Sequence, residues 1–205
     1  GFILGLVFVP GLWGIVEYLF PAALAAFALI GALALRQLGA FVARVIGSGG
    51  FDCRANASFA QLLPAFTFAM VGVGLAAPGA MSANAATAGA SIALSNVFLV
   101  SSAILALVAM VLGARAMLEH GVAVEQAPTL LIVVPILTVL GILLMRQDHG
   151  LHVHFGAEGA PGESLTLLSR LLGAEILFLL FGLTVIGASG YVRRFLLGDE
   201  ISVGG

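Results

Sequence analysis

The sequence predicts an all-α, multi-pass membrane protein with about six transmembrane helices, and three observations support this fold class. The 205-residue chain is 61% hydrophobic and only 9% charged, whereas roughly 25% of the residues in a soluble domain are charged. Its apolar residues form long stretches, and a helix that spans a bilayer needs about 20 of them. The alternating pattern of a membrane β-barrel is missing, so every spanning segment is expected to be helical.

The apolar stretches define six spanning segments, which we number 1 to 6 in chain order. They cover residues 2–19, 22–46, 58–78, 86–117, 128–146 and 165–191. We expect three helical hairpins within one transmembrane domain over residues 1–205. Because the chain begins directly in apolar sequence, we expect that domain to be the C-terminal portion of a longer protein.

The connections carry their own signals. Pro21 suits the first turn of segment 2, where proline needs no N–H, and Ala77-Pro78-Gly79 predicts a turn that ends segment 3. Either Ser82 or Asn84 is expected to cap segment 4. Residues 147–164 form the longest polar stretch, which we expect to connect segments 5 and 6 outside the membrane.

Prolines recur inside alternate segments. Pro10, Pro64 and Pro135 lie within segments 1, 3 and 5, and segments 2, 4 and 6 have no interior proline. An interior proline bends a helix and frees a carbonyl group, which a bilayer tolerates only beside other helices or a water-filled cavity. The pattern predicts an inner ring of bent odd-numbered helices backed by straight ones, with these prolines as pore-lining candidates.

Two inner segments resemble a known family. Gln61-Leu62-Leu63-Pro64-Ala65-Phe66 and Ala127-Pro128-Thr129-Leu130-Leu131 resemble inner-helix openings of the tellurite-resistance/dicarboxylate transporter family, which includes the plant slow anion channels. Each member of that family has ten helices, arranged as five hairpins around a central pore. Three such proteins assemble into a trimer. The resemblance implies that this chain corresponds to the last three hairpins and conducts small anions as a homo-oligomer.

In that family a phenylalanine on an inner helix typically plugs the pore. Segment 5 has no phenylalanine between Pro128 and Met145, so the nearest candidates are Phe66 and Phe68 on segment 3. These two residues are about 200° apart around a helix, and only one of them can face a given pore.

Two charged residues are further candidates. Glu175 is expected near the middle of segment 6, where a carboxylate usually marks an ion or proton pathway. The structural alternative is a protonated Glu175 that is hydrogen-bonded to segment 4, through Ser91, Ser95 or Asn96. Arg146, at the outer end of segment 5, could concentrate anions at a pore mouth or extend toward lipid headgroups.

The arginines predict the orientation, because the chain has no lysine. Six arginines fall on one side of the six-segment arrangement, and two, Arg146 and Arg170, fall on the other. The positive-inside rule makes the first side cytoplasmic. We therefore expect a bacterial-type inner membrane protein with a cytoplasmic C-terminus and with Cys53 facing the cytoplasm.

The segment from Asp148 to His154 raises the possibility of a metal site. In an extended conformation His152 and His154 would point to the same side, and Asp148 and His149 could add ligands. We interpret them instead as surface histidines and predict no metal, because the spacing matches no closed zinc pattern. The sequence also lacks a phosphate-binding glycine loop, a helical His-Glu-x-x-His and a Ser/His/Asp set, so we expect neither an enzyme nor a cofactor.

Together these features predict a membrane channel or carrier for small anions, whose partners are the bilayer, the anion and further copies of the chain. Nucleic acid is not an expected partner. The alternative is a non-catalytic transmembrane subunit that scaffolds a larger membrane complex. The scarcity of polar residues and the helix count of six both suit that alternative.

Overall fold

A computed structural model describes residues 14–49, 56–157 and 161–198, and these residues form five α-helices without a strand. The helices are α1 (Val16–Ser48), α2 (Leu63–Met81), α3 (Ala85–His120), α4 (Val133–Phe155) and α5 (Pro161–Ala188). They correspond to predicted segments 2 to 6. Pro10, Cys53 and most of segment 1 lie outside the described residues.

Three shorter helical pieces complete the described chain. The 3₁₀ segments Phe59–Leu62 and Val124–Ile132 lead directly into α2 and α4, and the π-helical segment Val192–Leu196 follows α5. When the 3₁₀ segments are included, five helical spans are long and apolar enough to cross a bilayer. This is the architecture of a multi-pass membrane protein.

Helix α2 lies at the centre of the bundle and packs against α1, α3 and α4. About 50% of its most apolar stretch is buried, compared with 28% for the span that contains α4 and 6% for α5. Helix α5 packs on α4 and on the second 3₁₀ segment and leaves most of its surface exposed. The bundle therefore has a protein-covered centre and outer helices that present apolar side chains outward.

Buried serines join α3 to the centre of the bundle. The Ser91 hydroxyl accepts a hydrogen bond from the Gly79 backbone N–H (2.7 Å) and donates one to the Leu75 carbonyl. An α-helix would join this N–H and this carbonyl directly, so the Ser91 side chain bridges one rung of α2. The Ser102 hydroxyl donates to the Ala65 carbonyl at 2.8 Å. This bonding fixes which face of α3 meets α2.

The start of α3 confirms one predicted cap. The Asn84 side chain accepts hydrogen bonds from the backbone N–H groups of Ala86 (2.9 Å) and Thr87 (3.2 Å). The expected turn at Ala77-Pro78-Gly79 is wrong, because α2 continues through these residues to Met81. The Pro78 N–H is missing near the end of the helix, and the Ser91 hydroxyl bonds the N–H of the next residue, Gly79, and the Leu75 carbonyl.

The other prolines also differ from their predicted positions. Helix α1 begins at Val16 and runs through Pro21, so the expected break between segments 1 and 2 at residues 20–21 is absent. Pro64 and Pro135 each lie in the first turn of an α-helix, directly after a 3₁₀ segment. Proline removes no intrahelical hydrogen bond in a first turn. Pro128 lies within the second 3₁₀ segment, five residues before α4 begins.

Candidate functional site

A cavity of about 590 Å³ lies between α4 and α5, beside the end of α2, and charged residues are part of its lining. Its polar side chains are those of Thr138, Arg146, His149 and Glu175. The remaining walls are apolar or small: Ala80, Gly141, Ile142, Met145, Leu168, Leu171 and Leu172. The cavity brings together two residues that the sequence singled out separately, Arg146 and Glu175.

Arg146 is half-buried and is anchored by one hydrogen bond to the backbone of α2. Its Nη1 donates to the Val73 carbonyl oxygen at 2.6 Å. Within the described ranges 14–49, 56–157 and 161–198, no carboxylate forms an ion pair with this guanidinium. A guanidinium carries five N–H donors, so donors remain for a ligand in the cavity.

The neighbours of Arg146 on α4 determine its position. Gln147 is buried, and its Nε2 donates to the Ser95 hydroxyl of α3 at 2.7 Å. One turn later Gly150 packs so closely on α2 that an added Cβ would lie 2.3 Å from the Gly79 carbonyl oxygen. Only glycine permits this approach. These contacts lock the register of α4 and aim Arg146 along the α2 edge of the cavity.

Glu175 is held by Thr138 across the α4–α5 interface. The Thr138 hydroxyl oxygen lies 2.7 Å from a Glu175 carboxylate oxygen and 3.1 Å from the Val134 carbonyl oxygen. The predicted partners on segment 4 were wrong: α5 packs on α4 and on the second 3₁₀ segment. Of the predicted partners, Ser91 bonds to α2 and Ser95 bonds to Gln147 of α4 instead.

The predicted connection over residues 147–164 is shorter than expected, because residues 147–155 are the last turns of α4. The histidines therefore point in different directions. His149 lines the cavity, His152 Nδ1 donates to the Ala157 carbonyl (2.8 Å), and His154 Nε2 donates to the Ser82 carbonyl (2.9 Å). In the part of the chain that the structure describes, no three His, Cys, Asp or Glu side chains are grouped to hold a metal ion.

A second polar cluster closes this end of the bundle. Glu17, at the start of α1, accepts hydrogen bonds from the Ser82 hydroxyl and from the Ala83 backbone N–H (3.1 Å). The Ser82 carbonyl binds His154, so Ser82 ties together the ends of α1, α2 and α4. Nothing local in the sequence indicates this cluster, because its members are far apart in the chain. Its contacts satisfy helix-end groups, which is a structural role.

The phenylalanine candidates lie on different sides of α2. Phe68 is 2% exposed and packs against Phe98, with ring centroids 5.7 Å apart. Phe66 is half-buried beside a separate cluster around Leu62 and Leu130. Pro64 and Phe68 line a second cavity, between α1 and α2. Pro135 is exposed, and none of these four residues lines the cavity of Arg146.

The spacing of residues along two helix faces is the sequence feature that indicates more of this site. Thr138, Ile142, Met145 and His149 are spaced by three or four residues, which is the period of one helix face. Leu168, Leu171, Leu172 and Glu175 follow the i, i+3, i+4, i+7 pattern of a helix face. The site is thus formed by two helix faces that present one cation, one histidine and one acid in apolar surroundings. Comparison with family models, with curated proteins and with solved structures found no match to this chain.

Proposed function

We propose that this protein is a channel or carrier for small anions and that the anion binds Arg146 in the α4–α5 cavity. The observation that carries the proposal is a half-buried guanidinium with donors to spare and no carboxylate paired to it among the described residues. A charge removed from water is expensive unless it is paired, and arginine presents a fork of donors that suits oxyanions and halides. A small anion would supply the missing partner.

The arrangement of the helices supports the proposed path. The spans that contain α2 and α4 are the two most buried of the five, as expected if odd-numbered segments form an inner ring. Arg146 lies on the inner helix α4 and contacts the backbone of the central helix α2. An anion at this guanidinium would lie at the boundary between the inner helices and α5.

Orientation and assembly are part of the same proposal. The six-to-two arginine count favours a cytoplasmic C-terminus in a bacterial-type inner membrane. The predominantly apolar outer faces of α1 and α5 leave room for lipid or for further copies of the chain, and a homo-oligomer would complete an inner ring that these helices begin. The membrane face from which Cys53 can be labelled reports this orientation.

The experiment uses purified protein in lipid vesicles that contain lucigenin, a dye that chloride quenches. Chloride influx should exceed that of protein-free vesicles, and Arg146→Gln should reduce the influx at least tenfold. Loss of a charge-assisted hydrogen bond costs about 1.5–3 kcal/mol, and each 1.4 kcal/mol is a factor of ten.

The matched control is Arg170→Gln. Arg170 is an exposed arginine on α5 that lines a separate outer cavity with Glu163 and Thr166, so the control removes the same charge elsewhere. It should leave the influx within twofold of the wild type. Equal influx for the wild type and Arg146→Gln would reject Arg146 as the anion site. No influx above empty vesicles would favour a scaffolding subunit.

A further inference from the structure

A second ionisable side chain, that of Glu175, lines the cavity of Arg146, and its contact with Thr138 suits both of its protonation states. Thr138 has one hydroxyl hydrogen and two oxygen neighbours, at 2.7 Å on Glu175 and 3.1 Å on the Val134 carbonyl. If Glu175 is ionised, Thr138 donates to the carboxylate. If Glu175 is protonated, the acid donates to Thr138, and Thr138 donates to the Val134 carbonyl. A hydroxyl can reverse its role in this way because it is both donor and acceptor.

We propose that Glu175 is a proton-binding residue whose ionisation weakens anion binding at Arg146, so that anion and proton occupy the site together. This inference rests on the proposed function, because it requires an anion in the cavity. An anion beside Arg146 and a carboxylate at Glu175 repel each other. By reciprocity, anion binding must favour protonation of Glu175 by the same factor.

The spacing of Thr138 and Arg146 along α4 gives the order of magnitude of the coupling. Thr138, which holds Glu175, is eight residues before Arg146 on α4, which is about 12 Å of helix rise. At an effective dielectric constant of about 20, two like unit charges at that separation weaken each other's binding by about tenfold. Protonation of Glu175 should therefore strengthen anion binding, and flux below saturation, by about tenfold.

Few other charged groups of the described residues could bind the proton in place of Glu175. Among the described residues that line the cavity, the further titratable groups are Arg146 and His149, both on α4. Glu125, on the second 3₁₀ segment that α5 also contacts, is exposed and does not line the cavity. Glu163 and Arg170 on α5 line the separate outer cavity. His149 is thus the competing proton site among the described residues of the cavity.

The test is chloride influx into lucigenin-loaded vesicles with the same pH on both sides, at about pH 4.0 and about pH 6.0, a range in which a carboxylic acid takes up its proton and an imidazole stays largely protonated. Wild-type influx should be several-fold faster at the lower pH. Glu175→Gln, which resembles the protonated acid and keeps a hydrogen bond to Thr138, should be fast and equal at both pH values. Glu163→Gln, on the same helix, and His149→Gln should both keep the wild-type pH dependence.

Three results would overturn the inference. One is a Glu175→Gln variant that keeps the wild-type pH dependence, and another is loss of that dependence in His149→Gln, which would assign the proton to the histidine. The third is equal wild-type influx at both pH values, which needs no variant to fold. In each case an influx that still depends on Arg146 would leave the proposed function intact. A wild type without influx at either pH would reject both proposals.

Discussion

The close approach of α4 to α2 at Gly150 gives a sharp prediction, because a single methyl group there would separate the two helices that position Arg146. A Cβ at residue 150 would lie 2.3 Å from the Gly79 carbonyl oxygen and 3.1 Å from Ile92 Cδ1. Ordinary carbon–oxygen contacts begin at about 3.3 Å. In Gly150→Ala the two helices must therefore move apart by about 1 Å, and a backbone carbonyl cannot rotate away as a side chain can.

The net effect combines two opposing terms. Overpacking a well-filled interface costs about 1–3 kcal/mol, and replacing an interior helical glycine by alanine regains about 1 kcal/mol of helix propensity. We expect Gly150→Ala to lower the free energy of unfolding in detergent micelles by up to about 2 kcal/mol. We also expect it to slow chloride influx, because Arg146 lies one turn before Gly150 and its bond to Val73 would lengthen.

The matched variant is Gly173→Ala on α5. No atom lies within 4 Å of a Cβ at that position, so only the propensity term remains. The free energy of unfolding should be unchanged or rise by up to about 1 kcal/mol. Titration with a denaturing detergent, followed by circular dichroism, measures both variants. If Gly150→Ala is as stable as Gly173→Ala, the described packing of α4 on α2 is incorrect.

Three further predictions test the fold. Asn84→Ala removes the cap of α3 and should cost about 0.5–2 kcal/mol, whereas Asn96→Ala, exposed on the same helix, should cost almost nothing; equal costs would reject the cap. Gln147→Leu loses the buried bond to Ser95 and should cost about 1 kcal/mol in thermal or detergent unfolding; unchanged stability would show that the bond contributes nothing. Cys53 should react with an impermeant maleimide only in inside-out membrane vesicles, and labelling in intact cells would reverse the proposed orientation.

Hydropathy was sufficient to find segments 2 to 6, because lipid-facing side chains must be apolar whatever their partners are. The Asn84 cap was also predictable, since its bonding groups are two and three residues away. The end of α4 was not predictable in this way. Its apolar run stops at Met145, yet the helix continues to Phe155. Gln147 and His154 are stabilised by Ser95 on α3 and by Ser82 in the connection between α2 and α3.

The site was only half visible in the sequence for the same reason. Arg146 and Glu175 stood out as charges in apolar surroundings, but nothing local indicates that their helices share a cavity. Glu175 was expected to bond to α3, and its partner is Thr138 on α4. Which faces of two helices meet depends on the packing of the whole bundle, and close contacts such as Gly150 on Gly79 select it.

The central claim is that the guanidinium of Arg146 holds a small anion in the α4–α5 cavity. A crystal structure of the protein grown in bromide would test it most directly, because the anomalous signal of bromide locates the ion without reference to function. We predict a bromide ion in direct contact with an Arg146 guanidinium nitrogen, on the cavity side and away from the Val73 carbonyl, and no ion there in Arg146→Gln. A lipid phosphate bound to Arg146, or a cavity without bromide when bromide binds elsewhere, would contradict the account.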